Sequence, residues 1–295
     1  MRATLYMSCH ITKRRQGERM RGDLLIIGGK EDKKGDKVIL RHFVEMSGGE
    51  KSRIGILTTA TQYPTETGEE YDELFRSLGC PDTQIFHLDT RESAEEGELK
   101  KRLETCTGLF ITGGDQVRLT SLLGGTFFYD ELRDRWHDGM PIGGTSAGAA
   151  VMSCHMIMSA LEVEDEYIVE MGVGFCLIED AIIDQHFSQR ARFGRLMTAI
   201  AHNPQVMGIG IDENTAIHVQ DDGSVFSVLG EHSVTVFDGK KLEYVDTTDH
   251  GDNTNITISG VRLHSLASGY RFDLITRKLC SSAPREEDDD DQPQE

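Results

Sequence analysis

Short apolar runs alternate with amphipathic stretches through the first half of the chain. Leu24-Leu25-Ile26-Ile27, closed by Gly28-Gly29, reads as a buried first strand. Ile39, Phe43 and Met46 then recur at helical spacing, and Gly48-Gly49 ends that helix. Ile54 to Leu57 predicts a second strand, Gln84 to Leu88 a third and Leu109-Phe110-Ile111 a fourth. Between them, Tyr71, Leu74, Phe75 and Leu78 mark a helix with Gly79 just past its end, and Leu99 to Leu103 lies in another. Strands alternating with helices predict right-handed crossovers. The expected fold class is three-layer α/β, a mostly parallel sheet with helices on both faces.

The second half changes rhythm. Thr112-Gly113-Gly114-Asp115-Gln116 opens a helix through Leu119, Leu122 and Leu123. Pro141 to Ala150 runs from an apolar segment through Gly143-Gly144-Thr145-Ser146-Ala147-Gly148, and Ala147 to Met158 reads as a buried helix behind the serine. Ala181 to Asp184 is a further strand, Arg190, Arg192 and Arg195 sit on a helix, and Met207 to Ile211 is a strand ending in Asp212-Glu213-Asn214. From Ala216 onward, short alternating strands with turns at Asp221-Asp222-Gly223 and Asp238-Gly239 predict a C-terminal antiparallel extension of the sheet.

At 295 residues, with no internal repeat and no linker, a single catalytic domain over 23–280 is expected. It lies between a basic, disordered extension at 1–22 and a disordered acidic tail at 281–295. The net charge of −19 argues against nucleic acid, whose phosphates would be repelled, so no nucleic-acid partner is expected. No apolar run is long enough to span a bilayer, so no membrane partner is expected either. The six cysteines are scattered without a C-x-x-C pair, which predicts reduced thiols and a cytoplasmic location. No metal constellation and no phosphate-binding glycine loop is present, so neither a metal nor any other cofactor is expected.

The chemistry centres on Gly144-x-Ser146-x-Gly148, which has the form of a nucleophile elbow. In a parallel sheet, ligands sit outside the carboxyl ends of the strands. The Gly113-Gly114 turn and the Ser146 turn both leave such ends and can face one crevice. A serine needs a base and an orienting acid. Of the eleven histidines, His186 stands out because it ends an apolar strand. Glu213 ends the next strand, with Asp212 and Asp184 as competitors for the acid. The order Ser146, His186, Glu213 is not that of the α/β-hydrolases, which excludes a lipase or esterase reading. Guanidinium groups grip carboxylates in two-pronged fashion, so the three arginines after His186 predict a pocket for an acidic substrate.

Several stretches together resemble the cyanophycinase family. They are Gly113-Gly114-Asp115-Gln116, Gly143-Gly144-Thr145-Ser146-Ala147-Gly148-Ala149, Asp184-Gln185-His186-Phe187 with Arg190, Arg192, Arg195 and Leu196, and Gly208 to Glu213. The opening Leu25-Ile26-Ile27-Gly28-Gly29-x-Glu31-Asp32 and the late Gly269-x-Arg271-Phe272-Asp273-Leu274 also match, so the resemblance runs from about Leu24 to Leu274. These are serine peptidases related to the aspartyl dipeptidases, on a fold similar to class I glutamine amidotransferases.

The resemblance implies a homodimer that hydrolyses cyanophycin, a polyaspartate bearing arginine on each β-carboxyl, to β-Asp-Arg dipeptides. It implies Ser146 as nucleophile, His186 as base and Glu213 as acid. It also implies Gln116, Asp184, Gln185, Arg190, Arg192 and Arg195 as substrate-binding residues. Attack would fall on a β-linked aspartyl carbonyl, with the Ala147 and Gly114 N–H groups holding the oxyanion. The acidic stretch Ser159 to Glu166 departs from the pattern and is expected to reshape one wall of the cleft. An aspartyl or isoaspartyl dipeptidase is the runner-up, and a non-catalytic binder the reading from another class.

Overall fold

In the computed structural model, which describes residues 21–163, 166–220, 223–247 and 256–280, strand and helix alternate as far as the serine. β1 (Leu24–Ile27) leads to α1 (Val38–Met46), β2 (Arg53–Leu57), α2 (Pro64–Ser77), β3 (Asp82–Phe86) and α3 (Glu98–Thr105). β4 (Gly108–Ile111), α4 (Gln116–Leu123), α5 (Phe127–His137), β5 (Ile142–Thr145) and α6 (Ala147–Ala150) follow. Next come β6 (His155–Val163), β7 (Glu166–Val173), β8 (Ala181–Gln185), α7 (Phe193–His202), β9 (Met207–Ile211), β10 (Thr215–Gln220) and β11 (Val225–Gly230). β12 (Val234–Asp238), β13 (Tyr244–Asp246), β14 (Thr257–Ser259), β15 (Arg262–Leu266), β16 (Arg271–Asp273) and β17 (Lys278–Leu279) complete the described chain.

The main sheet has nine strands in the order β17-β16-β11-β10-β1-β5-β4-β2-β3. From β1 to β3 the pairing is parallel. From β10 outward it is antiparallel, the extension expected from the sequence. β1, β4 and β5 are buried at every position, as strands covered on both faces must be. Phe43 of α1 and Tyr71 and Phe75 of α2 pack on one face against Ile27, Ile56 and Phe110. Leu103, Leu119, Leu132 and Ala149, from α3 to α6, cover the other face against Ile26, Leu109 and Ile111.

β8 and β9 do not join this sheet. They form a second sheet of four strands, β15-β12-β9-β8, in which β8 and β9 run parallel and β12 and β15 antiparallel. In Met207-Gly208-Ile209-Gly210-Ile211 the apolar side chains face the main core. On the opposite face a Cβ at Gly208 would come within 2.9 Å of Leu196, and one at Gly210 within 2.4 Å of the Phe187 ring. The glycines therefore let α7 and Phe187 seat directly on the strand. Two hydrogen bonds tie the strand ends of the second sheet to the end of β1: His186 N to Gly28 O (2.7 Å) and Asn214 N to Gly29 O (2.9 Å).

Several expectations are corrected. The helix behind the serine stops at Ala150, and His155 to Met158 belong to a β-hairpin with β7. The third strand starts two residues earlier than its apolar run suggested. Arg190 and Arg192 precede α7, and only Arg195 of the three lies on it. The cysteines are not all free: Cys154 and Cys176 form a disulfide across the foot of the β6–β7 hairpin. Arg21 and Gly22 are already packed, Arg21 over the Trp136 ring and Gly22 accepting from Trp136 Nε1 at 2.7 Å. The rest of the basic extension (1–20), the acidic tail (281–295), Asp221-Asp222 and Glu164-Asp165 lie outside the described residues.

Candidate active site

Ser146 joins β5 to α6 with φ 52 and ψ −109, a conformation that costs a non-glycine residue energy and holds its hydroxyl clear of both elements. The turn is this tight because Gly144 and Gly148 are bare: a Cβ at Gly144 would sit 2.5 Å from Gly148 O, and one at Gly148 2.2 Å from Ile111 O. Ser146 Oγ lies 2.9 Å from His186 Nε2, and His186 Nδ1 lies 2.8 Å from Glu213 Oε1. Strand ends deliver all three groups, β5 for the serine, β8 for the histidine and β9 for the carboxylate. His186 is itself at φ 48 and nearly buried. Its ring rests on Gly29 (φ +95), where a Cβ would come within 2.3 Å of Cε1.

Asp212, the competing acid, is turned elsewhere. Its carboxylate accepts from Ser188 N (3.0 Å) and Ser233 Oγ (3.0 Å), fixing the loops beside the site. Glu213 also receives Lys30 Nζ at 3.0 Å on the oxygen that faces His186. Burial favours a neutral Glu213, but the bonds from Lys30 and His186 outweigh it and hold the carboxyl below its ordinary range. Burial is the main reason His186 titrates below its ordinary value of 6.5; Arg190 and Arg192 add to this, and Glu213 opposes it.

An open cleft of about 350 Å³ lies over the serine, lined by Lys30, Glu31, Lys33, Thr67, Glu70, Tyr71, Gly113, Thr145, Ser146, His186 and Arg190. Glu31 is buried, accepting from Thr145 Oγ1 at 2.5 Å and from the Tyr71 hydroxyl. Burial first, and Glu31 second, push the Tyr71 phenol well above its usual value, so it stays a donor. Lys33 lies 4.1 Å over the Tyr71 ring and 2.8 Å from Glu70. Asp32 folds this loop by accepting from the N–H groups of Lys34, Gly35 and Lys37. Those bonds bring its carboxyl down to about 2.

The six residues of the expected substrate-binding set fall into different places. Arg190 lines the cleft. Asp184 has no exposed side-chain surface and is gripped by Arg195, whose Nε donates at 2.8 Å. Arg192 Nη1 donates to Gln185 Oε1 (2.7 Å) and Gln185 O (2.6 Å). Burial first, with Arg195 alongside, brings the Arg192 guanidinium down to about 10, still cationic at neutral pH. Asp184, Gln185, Arg192 and Arg195 thus form an internally paired wall behind His186. Gln116 Nε2 donates to Ile157 O (3.2 Å) and Met158 O (2.9 Å), which pins β6 against α4.

For the oxyanion, Ala147 opens α6, so its N–H has no acceptor within the helix. In the facing loop it is Gly113 that touches the serine, a Cβ there lying 3.3 Å from Ser146 Cβ. Gly114 (φ +145) is pressed against Ala60 O. Sequence reasoning missed Gly29, Lys30, Lys33, Glu70 and Tyr71 as neighbours of the serine. The signal for the first two was available, since they follow the carboxyl end of β1, where such sheets place ligands. Among the described residues, no cluster of three or more His, Cys, Asp or Glu could hold a metal ion, and no helix is long and apolar enough to cross a membrane.

A serine on a strained strand-to-helix turn, hydrogen-bonded to a histidine that meets a carboxylate, over a parallel sheet, is the arrangement of a serine-type hydrolase. Within that class, the chain belongs to peptidase family S51, whose profile matches residues 24–226. It is 39% identical over 265 residues to a cyanophycinase of Nostoc sp., covering 89% of each chain. It is 37% identical over 265 residues to a cyanophycinase of Geminocystis herdmanii, covering 88% of this chain and 96% of that one. Among solved structures it is similar to a peptidase from an acI-B1 Actinobacterium, with a TM-score of 0.63 over 87% of this chain and 98% of that one. At 20% identity that likeness speaks for the fold alone.

Proposed function

We propose that this chain hydrolyses cyanophycin from a chain end, releasing β-Asp-Arg dipeptides through an acyl-enzyme on Ser146. The observation that carries the reading is the run of hydrogen bonds Ser146–His186–Glu213, opening on a charged cleft in a chain similar to cyanophycinases along most of its length. Glu213 accepts from Nδ1–H, which leaves the Nε2 lone pair facing the serine hydroxyl. His186 takes the proton as Oγ attacks, and the Ala147 N–H with a Gly113–Gly114 loop N–H receives the oxyanion. His186 then protonates the leaving amine, and water clears the ester.

The product fixes the bond that breaks. A β-Asp-Arg dipeptide keeps its β-amide to arginine, so Ser146 attacks an α-linked backbone carbonyl of the polyaspartate. This corrects the β-linked carbonyl expected from sequence. The cleft suits a substrate of both signs. Arg190 offers a cation to the carboxylates of the polymer's arginine residues and C-terminus, while Glu70 offers an anion to its guanidinium groups. The internally paired wall of Asp184, Gln185, Arg192 and Arg195 supports the His186 side of that cleft.

A cytoplasmic location and a homodimer belong to the same proposal. The Cys154–Cys176 bridge weighs against the first, because such bonds persist in oxidising compartments. Cell fractionation and light scattering check the two points. The substrate is tested by comparing release rates from insoluble cyanophycin and from Asp-Xaa dipeptides. Faster turnover of the polymer, with β-Asp-Arg as product, is expected; turnover of the dipeptides alone makes the protein an aspartyl dipeptidase.

A further inference from the structure

Glu213 Oε1 has two neighbours. His186 Nδ1 is 2.8 Å away on one side, and Lys30 Nζ is 3.0 Å away on the other. Lys30 stands just past Gly28-Gly29 with φ 47, a left-handed conformation that few side-chain-bearing residues adopt. Its side chain is 68% exposed, against 15% for Glu213. A surface ion pair with such an exposed lysine contributes little to stability. This one differs because its anion is also the partner of the catalytic imidazole.

Coulomb interactions fall only as the inverse of distance, so a cation on the far side of one carboxylate oxygen still acts on the ring beyond it. The carboxylates around His186 other than Glu213 are committed, and two more cations stand near it. Arg190 and Arg192 flank it from the turn after β8. Asp184 behind it is held by Arg195, Glu31 by Tyr71 and Thr145, and Asp212 by Ser188 and Ser233. Lys30 is the cation placed directly on the carboxylate that stabilises the imidazolium.

We propose that Lys30 is a positioning residue of this peptidase. It fixes Glu213 Oε1 beneath the imidazole and, by sharing that oxygen, extends activity to more acidic pH. The proposal rests on the reading of Ser146, His186 and Glu213 as the catalytic groups. Neutralising Lys30 leaves the full negative charge of Glu213 to the ring, imidazolium becomes easier to form, and the unprotonated base is lost at higher pH.

The test compares Lys30→Met, Lys30→Gln and Lys30→Arg by two readouts. One is the acid limb of kcat/KM. The other is the NMR titration of His186 Cε1–H in a Ser146→Ala background, which needs no turnover. Both neutral variants are expected to move the limb and the titration up by about 0.3–1 pH unit, and Lys30→Arg to leave them in place. Lys30→Met is expected to lower plateau kcat more than Lys30→Gln, whose amide can still donate to Oε1. Raising salt is expected to shift the wild-type limb upward and the Lys30→Met limb much less. A Lys30→Met titration that superimposes on the Lys30 form overturns the proposal, as does a titration that moves while the limb stays. Failure of the catalytic reading shows separately, as hydrolysis that survives Ser146→Ala with the coupling intact.

Discussion

Of the eight non-glycine residues with positive φ among the described residues, four stand at the site. Lys30, Ser146, His186 and Asn214 all have φ between 47 and 52, and each lies at or beside the serine–histidine–carboxylate run. Folded chains hold such conformations where the surroundings over-determine them, and active sites are where they concentrate. Gly29 supplies the floor under the imidazole. Gly29→Ala is expected to tilt the ring from Ser146 and lower kcat by about 10²-fold or more; a purified variant with wild-type kcat contradicts this.

The two neighbouring acids should part company. Glu213→Gln is expected to lower kcat by about 10³–10⁴-fold, since the amide cannot hold the ring in its working tautomer. Asp212→Asn loosens contacts to Ser188 and Ser233, so its main effect should appear in the melting temperature. From sequence these two acids were separable only through the family resemblance. What separates them is which carboxylate turns inward, and adjacent residues at a strand end point to opposite sides by a rule too coarse to fix a loop. The pH profile follows from burial. His186 must be neutral to accept the serine proton and titrates below 6.5, so the acid limb of kcat/KM should have its midpoint below pH 6.5. A midpoint above 6.5 contradicts this.

Among the elements, the parallel strands were the most legible. Leu24–Ile27 and Met207–Ile211 fall where their apolar runs put them, because both faces of such strands are buried. β3 was misplaced because Asp82 to Gln84 are polar and only half-buried at the sheet edge. The run from Ala147 to Met158 was misread because small and apolar residues suit a helix and a buried strand alike, and pairing with β7 decides between them. α5 was not foreseen, although Thr126 caps it through Tyr129 N.

The arginine-rich stretch after β8 predicted charge but not its partners. Arg195 and Asp184 form a nearly buried pair, so Arg195→Ala leaves the interior carboxylate only the longer contact to Arg192 at 3.4 Å. That is expected to destabilise the fold by about 3–5 kcal/mol in chemical denaturation. An unchanged midpoint with a raised KM would instead assign Arg195 to the substrate.

At the scale of the whole molecule, the site exists only where the nine-stranded and four-stranded sheets meet. The serine comes from the main sheet, the histidine and carboxylate from the second, and the bonds from His186 N and Asn214 N to the Gly28-Gly29 turn hold them in register. Sequence periodicity gives strands but not their partition between sheets, because that depends on contacts between distant residues. The disulfide was illegible for the same reason. Cys154 and Cys176 are 22 residues apart and meet only because the β6–β7 hairpin folds back. Closing a loop of that length corresponds to about 3 kcal/mol in the chain-entropy description. Reduction, or Cys154→Ser with Cys176→Ser, is therefore expected to lower the melting temperature by several degrees. An identical melting curve with and without reductant contradicts it.

The most direct test is the rate of β-Asp-Arg release from purified cyanophycin by the wild-type protein and by Ser146→Ala. Release by the wild type and a drop of about 10³-fold or more in the variant are expected. Undiminished release by Ser146→Ala would contradict a mechanism built on that serine.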